Sequence, residues 1–370
     1  KKHILQKLKD VKICDPAIGS GAFPMGMLNE LFACRTALED SSESPAQIKR
    51  EIIQNNIYGV DIEKGAIDIA RLRFWLAIVV DSDTPEPLPN FDYKIVEGNS
   101  LLTTFNGKYL NISSQQQHEN VQAIKIKKEI LQKKQKEFFT LFGKEKYEKE
   151  KEIKNLILDI IELQLGYERT SWVVKQYRTG NLFQDSEPRQ MSFAEIAQKF
   201  APEKQSAIDF CAEIRKSLND ESKSIEEQAR TQIPFFDWHI IFADIFSPAT
   251  KQGGFDIVIG NPPYVSSKAI PKKDKAIFQK IFLTAKGQYD LFCLFIEKSF
   301  SLCHSQGIQS FIIPDAFIGR SNFTPIRELF IKGSKCRKLL HVNNVFENAN
   351  VSSLIYITQC NAEDTNSTFQ

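Results

Sequence analysis

Short apolar runs and helix-period segments alternate through much of this chain. Val11-Lys12-Ile13-Cys14, Ile57-Tyr58-Gly59-Val60, Tyr93-Lys94-Ile95-Val96-Glu97 and Asp256-Ile257-Val258-Ile259 read as short strands. Strands buried on both faces of a parallel sheet carry such near-continuous β-branched runs. A helical pattern follows the first strand (Met25, Leu28, Leu31, Phe32). Another follows the second, from Lys64 to Val80, with its apolar face expected at Ile67, Ala70, Leu72, Trp75 and Leu76. Strands alternating with helices predict an α/β fold on a parallel sheet.

Residues 106–232 break this alternation and read as a helical insertion between a first half, 1–105, and a second half, 233–370. From Lys125 to Lys154 there are eleven Lys and six Glu, with Ile126, Ile130, Phe138 and Phe142 on a helical period continued by Ile153, Leu156, Ile157, Ile160 and Ile161. This predicts an amphipathic helical pair broken near Gly143. Its Lys excess either follows a nucleic-acid backbone or forms a solvated face of Glu/Lys pairs; the second is the more economical reading. Polar loop and short helices follow (Phe193–Phe200, and Ala207 to Ala229), and Trp238 marks the return to the core.

The chemistry gathers at the strand ends, where open α/β sheets bind ligands. After the fourth strand comes Gly260-Asn261-Pro262-Pro263-Tyr264. Two prolines stop the strand and stiffen the turn. The turn offers an amide oxygen, a carbonyl and a flat ring, but no strong base. Asn261 and the Pro262 carbonyl can accept both N–H bonds of a planar amino group while Tyr264 stacks on its ring; the bland alternative is a Pro-rich turn capped by Asn. The first strand runs into Asp15-Pro16-Ala17-Ile18-Gly19-Ser20-Gly21. A Gly-x-Gly turn before a helix lets a ligand touch bare backbone. Asp15 would repel a pyrophosphate and attract an ammonium, so an amino acid joined to a nucleoside fits better than a dinucleotide. Asp61, ending the second strand, is either an acceptor for two ribose hydroxyls or an N-cap. Asn99, after the third, either meets an adenine edge or is a plain turn residue.

Composition narrows the class. The chain has 370 residues, 42% of them hydrophobic, and a net charge of +2, which is too weak a balance to argue for nucleic acid by itself. Seven scattered cysteines, never spaced as a metal knuckle, fit free thiols in a reducing cytoplasm. No His, Cys and carboxylate cluster suggests a metal.

Asp15 to Gly21, Asp61, Asn99 and Asn261 to Tyr264, in that order, resemble motifs I to IV of amino-group DNA methyltransferases, closest to the adenine-N6 branch of type II restriction–modification enzymes, including fused restriction–methylation proteins. Gln288-Tyr289-Asp290-Leu291-Phe292 opening a helix through Phe300, the strand Gly307–Pro314, and Val345–Ser353 before Leu354–Ile357 extend the resemblance. It implies a seven-stranded class I S-adenosylmethionine-dependent sheet, with S-adenosylmethionine held by Asp15, Pro16, Ala17, Gly19, Gly21, Asp61, Ile62 and Asn99. It also implies a catalytic turn Asn261, Pro262, Pro263 and Tyr264, a second stacking ring at Phe346, and a flipped adenine in double-stranded DNA as substrate. The alternative for Phe346 is ordinary hairpin core.

Cytosine-N4 methylation and protein glutamine methylation use related turns, and a non-catalytic DNA-binding module on this fold is a third alternative. Intact motifs argue against the last, and the long insertion argues against the protein methylases. The resemblance further implies a target-recognition domain, and in fused members a nuclease, outside these residues, in a prokaryotic cytoplasm on the nucleoid.

Overall fold

The computed structural model describes residues 1–38, 43–83, 87–106, 108–110, 120–178, 202–246, 253–342 and 352–360. The chain divides into two compact units, one of Lys1–Leu101 with Thr250–Gln370 and one of Leu102–Ala249.

The first unit is organised on seven strands: β1 (Ile13–Asp15), β2 (Ile57–Asp61), β3 (Ile95–Glu97), β4 (Phe255–Gly260), β5 (Cys303–Pro314), β6 (Ser334–Val342) and β7 (Ser353–Cys360). Their order in the sheet is β3-β2-β1-β4-β5-β7-β6. Neighbours from β3 to β5 are parallel, while β7 lies antiparallel between β5 and β6. This is the expected seven-stranded Rossmann-like α/β sheet. The order reverses between β1 and β4, so the carboxyl ends of those two strands border the crevice where such sheets bind ligands. Ile13, Cys14, Ile57, Tyr58, Val60 and Val258 are fully buried, which accounts for the apolar runs read in the sequence.

Helices α1 (Lys2–Asp10), α2 (Ala22–Leu38), α3 (Pro45–Asn56) and α4 (Lys64–Val79) flank the first three strands. On α4 the buried stripe is Ile67, Ala70, Phe74 and Ile78. Leu72 and Leu76, expected inside, are exposed instead with Ile69 and Val80. A helix that is apolar all round carries no periodic signal of which side faces the sheet. The crossover from β4 to β5 returns through the helix Leu291–Leu302, whose Phe292, Leu294 and Ile296 are buried.

In the second unit, helices Asn120–Phe138 and Gly143–Arg178 form the expected hairpin, turned at Gly143 with φ +58°. Ion pairs Lys127–Asp159 (2.7 Å), Lys134–Glu152 (2.7 Å) and Lys149–Glu137 (2.9 Å) fix its antiparallel register. Lys144, Lys151 and Lys154 are also engaged, by Glu148, Gln228 and Glu150. Five of the eleven lysines therefore pair with acids of the hairpin, in favour of the solvated-face reading.

The bounds of this unit differ from the expected insertion, 106–232. Thr104–Phe105 pairs antiparallel with both Lys108–Tyr109 and Phe235–Phe236. The Phe105 ring meets Phe210 and Phe235 edge-on at 5.3 and 5.9 Å. Both flanks, read as the ends of the catalytic halves, thus pair and pack with each other. The segment Phe193–Phe200 lies outside the described residues. Among the described residues no helix is long and apolar enough to cross a membrane.

Candidate active site at the carboxyl ends of the first and fourth strands

The turn after β1 is held from both sides. Gly19 and Gly21 take φ of +53° and +84°, a region that Cβ-bearing residues avoid. At Gly21 a Cβ would also come within 3.2 Å of Ala70 on α4. The Ile18 N–H donates to the Val60 carbonyl (3.0 Å). The Gly19 N–H donates to Asp61 Oδ2 (2.8 Å). The Ser100 hydroxyl donates to the Pro16 carbonyl. Loops after β1, β2 and β3 are thereby tied into one rim, with the Asp15–Gly21 turn joined to Asp61 and to Ser100 beside Asn99.

Asp61 is no helix cap. Glu63 occupies the N-cap of α4 without a side-chain bond, and Asp61 Oδ1 instead accepts the Glu63 N–H (3.0 Å). Each of its oxygens keeps one lone pair for another donor. Ile62 beside it is 64% exposed, an apolar surface at the mouth. Asn99 behaves partly as the turn residue of the plainer reading, since its Oδ1 accepts the Leu101 N–H (3.0 Å).

Asp15 is 1% exposed. Its Oδ1 accepts the Ala17 N–H (3.0 Å), whereas buried Oδ2 has no partner among the described residues. Burial, with Asp61 adding to it and the Ala17 N–H opposing it, pushes this carboxyl up to about 8. A buried acceptor lacking a donor is costly unless something supplies one. A ligand ammonium would do so, and it would also favour the charged carboxylate. At Gly260 a Cβ would lie 2.5 Å from Asp15 Oδ1, so the glycine ending β4 leaves room for the carboxylate ending β1.

One residue further on, Asn261 Oδ1 is likewise buried without a hydrogen-bond partner among the described residues. Pro262 is buried and Pro263 half-buried. The Tyr264 hydroxyl donates to the Ile312 carbonyl on β5 (3.0 Å), and its ring stands edge-on to Phe292 at 6.3 Å and 81°. Burial holds the phenol up at about 12, against a hydrogen bond with Ser353 that lowers it. A phenol so placed stays neutral at pH 7. Phe292 in turn packs edge-on to Phe323 at 5.1 Å. The turn therefore has rigid sides and one unsatisfied acceptor. Phe346, with the hairpin tip read as its carrier, lies outside the described residues.

Sequence reasoning missed Ser100 and Phe292. Ser100 follows a singled-out Asn but carries no pattern of its own, and Phe292 was read only as the start of an apolar helix.

Residues 55–346 match the Eco57I restriction-modification methylase family. The chain belongs to that family. Among curated relatives, RM.MjaORFECS2P of Methanocaldococcus jannaschii, which bears the provisional name of type II restriction enzyme and methyltransferase, is 28% identical over 96% of this chain. The type II methyltransferase M.TthHB8I of Thermus thermophilus is 29% identical over 27% of it. The chain spans 31% of the length of the first relative and 25% of the second. A nuclease-deletion mutant of the Type ISP restriction-modification enzyme LlaGI, solved with a DNA substrate mimic, aligns over 97% of this chain and 21% of its own, at 13% identity and a TM-score of 0.45.

For an Eco57I-family methylase the cofactor is S-adenosylmethionine, and the residues present fit it. Asp15 has a buried acceptor without a donor, Gly19 and Gly21 give a left-handed turn without Cβ atoms, and Asp61 and Ile62 offer a polar and an apolar group beside it.

Proposed function

We propose that this chain is the catalytic core of an enzyme that methylates N6 of adenine in double-stranded DNA, with the target base flipped out of the helix. The observation that carries the reading is Asn261 Oδ1, buried and without a hydrogen-bond partner among the described residues, one residue beyond the Asp15–Gly260 contact. Family membership supports methyl transfer in a restriction–modification setting.

Adenine N6 is a poor nucleophile because its lone pair is delocalised into the ring. Asn261 Oδ1 and the Pro262 carbonyl accept its two N–H bonds, which favours a more tetrahedral nitrogen and stabilises the positive charge growing on it. Tyr264 stacks on the base. Stacking of this kind is worth about 1–3 kcal/mol per base and offsets part of the unstacking cost. Asp15 holds the ammonium of the donor's amino-acid end, and Asp61 the ribose hydroxyls. When bound, S-adenosylmethionine supplies a methyl group already activated by its sulfonium. The protein's task is alignment.

The test is to incubate the full-length protein with labelled S-adenosylmethionine and mixed-sequence duplex, then digest to nucleosides. N6-methyladenosine that disappears in Asn261→Ala, with cofactor binding retained, is the expected result. N4-methylcytosine would move the reading to the neighbouring branch, and label found only in protein would overturn it.

A further inference from the structure

The segment immediately following the catalytic turn is strongly basic. Residues 265–287 hold six lysines (Lys268, Lys272, Lys273, Lys275, Lys280, Lys286) and one acid, Asp274. The segment is therefore +5 while the chain is +2, which leaves −3 for everything else. In the helical hairpin five lysines are tied to local acids; among the described residues none of these six has a side-chain hydrogen bond or ion pair. All but Lys275 are exposed.

The backbone of the segment that carries the lysines is anchored at several points. Lys272, Lys273, Lys275 and Lys280 belong to the helix Lys272–Ile281. At about 100° per residue Lys272, Lys273 and Lys280 occupy the half opposite Phe278, with Lys275 at its flank; Phe278 is buried and edge-on to Phe282 at 5.9 Å. Glu297, on the crossover helix, accepts the Leu283 N–H (2.8 Å), the Thr284 N–H (2.9 Å) and the Thr284 hydroxyl. The base of the excursion is closed by the Ser267 N–H donating to the Tyr289 carbonyl (2.7 Å) and the Leu291 N–H to the Val265 carbonyl (2.8 Å). The chain leaves β4 at its carboxyl end and returns to the opposite edge only through Leu291–Leu302. Topology therefore keeps the basic helix on the same edge of the sheet as Asn261.

A rigid, unneutralised cationic face beginning four residues from Tyr264 suits a polyanion whose reacting group enters the Asn261 turn. We infer that Lys268 to Lys286 form a phosphate-contact surface for the DNA backbone beside the flipped base, a surface that reads charge and not sequence. This rests on the DNA-methylation reading above. A face of this kind acts by releasing counterions, so its signature lies in salt dependence.

The test compares the full-length protein with the triple variant K272Q/K273Q/K280Q, measuring affinity for mixed-sequence duplex as a function of salt. Loss of three phosphate contacts lowers the slope of log K against log salt by about 2.7 and weakens binding at least tenfold at low salt. Cofactor titration stays unchanged, which shows that the fold is intact. K133Q/K136Q, removing two exposed lysines of the hairpin, leaves the slope as it was. An unchanged slope in the triple variant overturns the surface, whatever base is methylated. If instead wild type binds duplex with the full slope but yields no N6-methyladenosine, the reaction assignment fails and the surface stands. A loss of slope per lysine in K133Q/K136Q equal to that in the triple variant would also overturn it, since the effect would then be general charge and not this face.

Discussion

Asp15 and Gly260 are matched across the two central strands, with the carboxylate oxygen of one filling the space a Cβ on the other would need. The donor side and the acceptor side of the site thus share one contact. Asp15 faces the cofactor turn, and the residue after Gly260 is Asn261.

Gly260→Ala should therefore damage both sides together. The added methyl must displace a buried carboxylate, and overpacking of this kind costs about 1–3 kcal/mol. The expected outcome is a lowered melting temperature and at least tenfold weaker cofactor binding. Calorimetric titration that found wild-type affinity would show that Asp15 does not touch the ligand.

The Asp15 carboxyl, raised to about 8 by burial, makes stability depend on pH. In the unfolded chain it ionises near the ordinary carboxylate value, so between that value and about 8 the folded form holds the extra proton. Its contribution is complete at low pH and is lost as pH rises through about 8. Asp15→Asn should flatten this fall, seen as a smaller difference between melting temperatures at pH 5 and pH 9. At pH 7, cofactor binding to the wild type should release close to one proton, read from the dependence of binding heat on buffer, and Asp15→Asn should release none.

Tyr264 has separable parts. Tyr264→Phe removes the bond to the Ile312 carbonyl, a loss of about 1 kcal/mol of stability, and should keep most of the activity because the ring remains. Tyr264→Ala removes the stacking surface and should raise KM for duplex roughly 5- to 150-fold, the equivalent of the stacking energy. Equal kinetics for the two variants would show that the ring does not stack on substrate.

Arg215 in the second unit donates to Asp159 (2.9 Å) and Glu162 (2.8 Å). All three groups are about a third exposed, so screening keeps the network modest. Arg215→Ala should cost about 1 kcal/mol in denaturant unfolding and leave duplex affinity unaltered.

The strand ends were legible because each combines a local signal with a chemical one. Asp15-Pro-Ala-x-Gly-Ser-Gly needs left-handed glycines, and Asn261-Pro-Pro-Tyr cannot continue a strand, so both announce turns. The inward face of α4 was not legible, since Leu72 and Phe74 are equally apolar and only the sheet chooses between them. Pairing of charges was not legible either. Lys134 and Lys272 look alike in sequence, yet one meets Glu152 and the other meets no acid among the described residues. Ser100 and Phe292 act through partners more than twenty residues distant, which no window of sequence displays.

The pairing of Thr104–Phe105 with Phe235–Phe236 gives the second unit a neck of its own making. The entropy of closing a loop grows only slowly with its length, and here the closure is borne by strands internal to the unit. Such an insert can change in length between Tyr109 and Phe235 without disturbing those paired strands. It is a natural place for lineages to diverge without touching the chemistry.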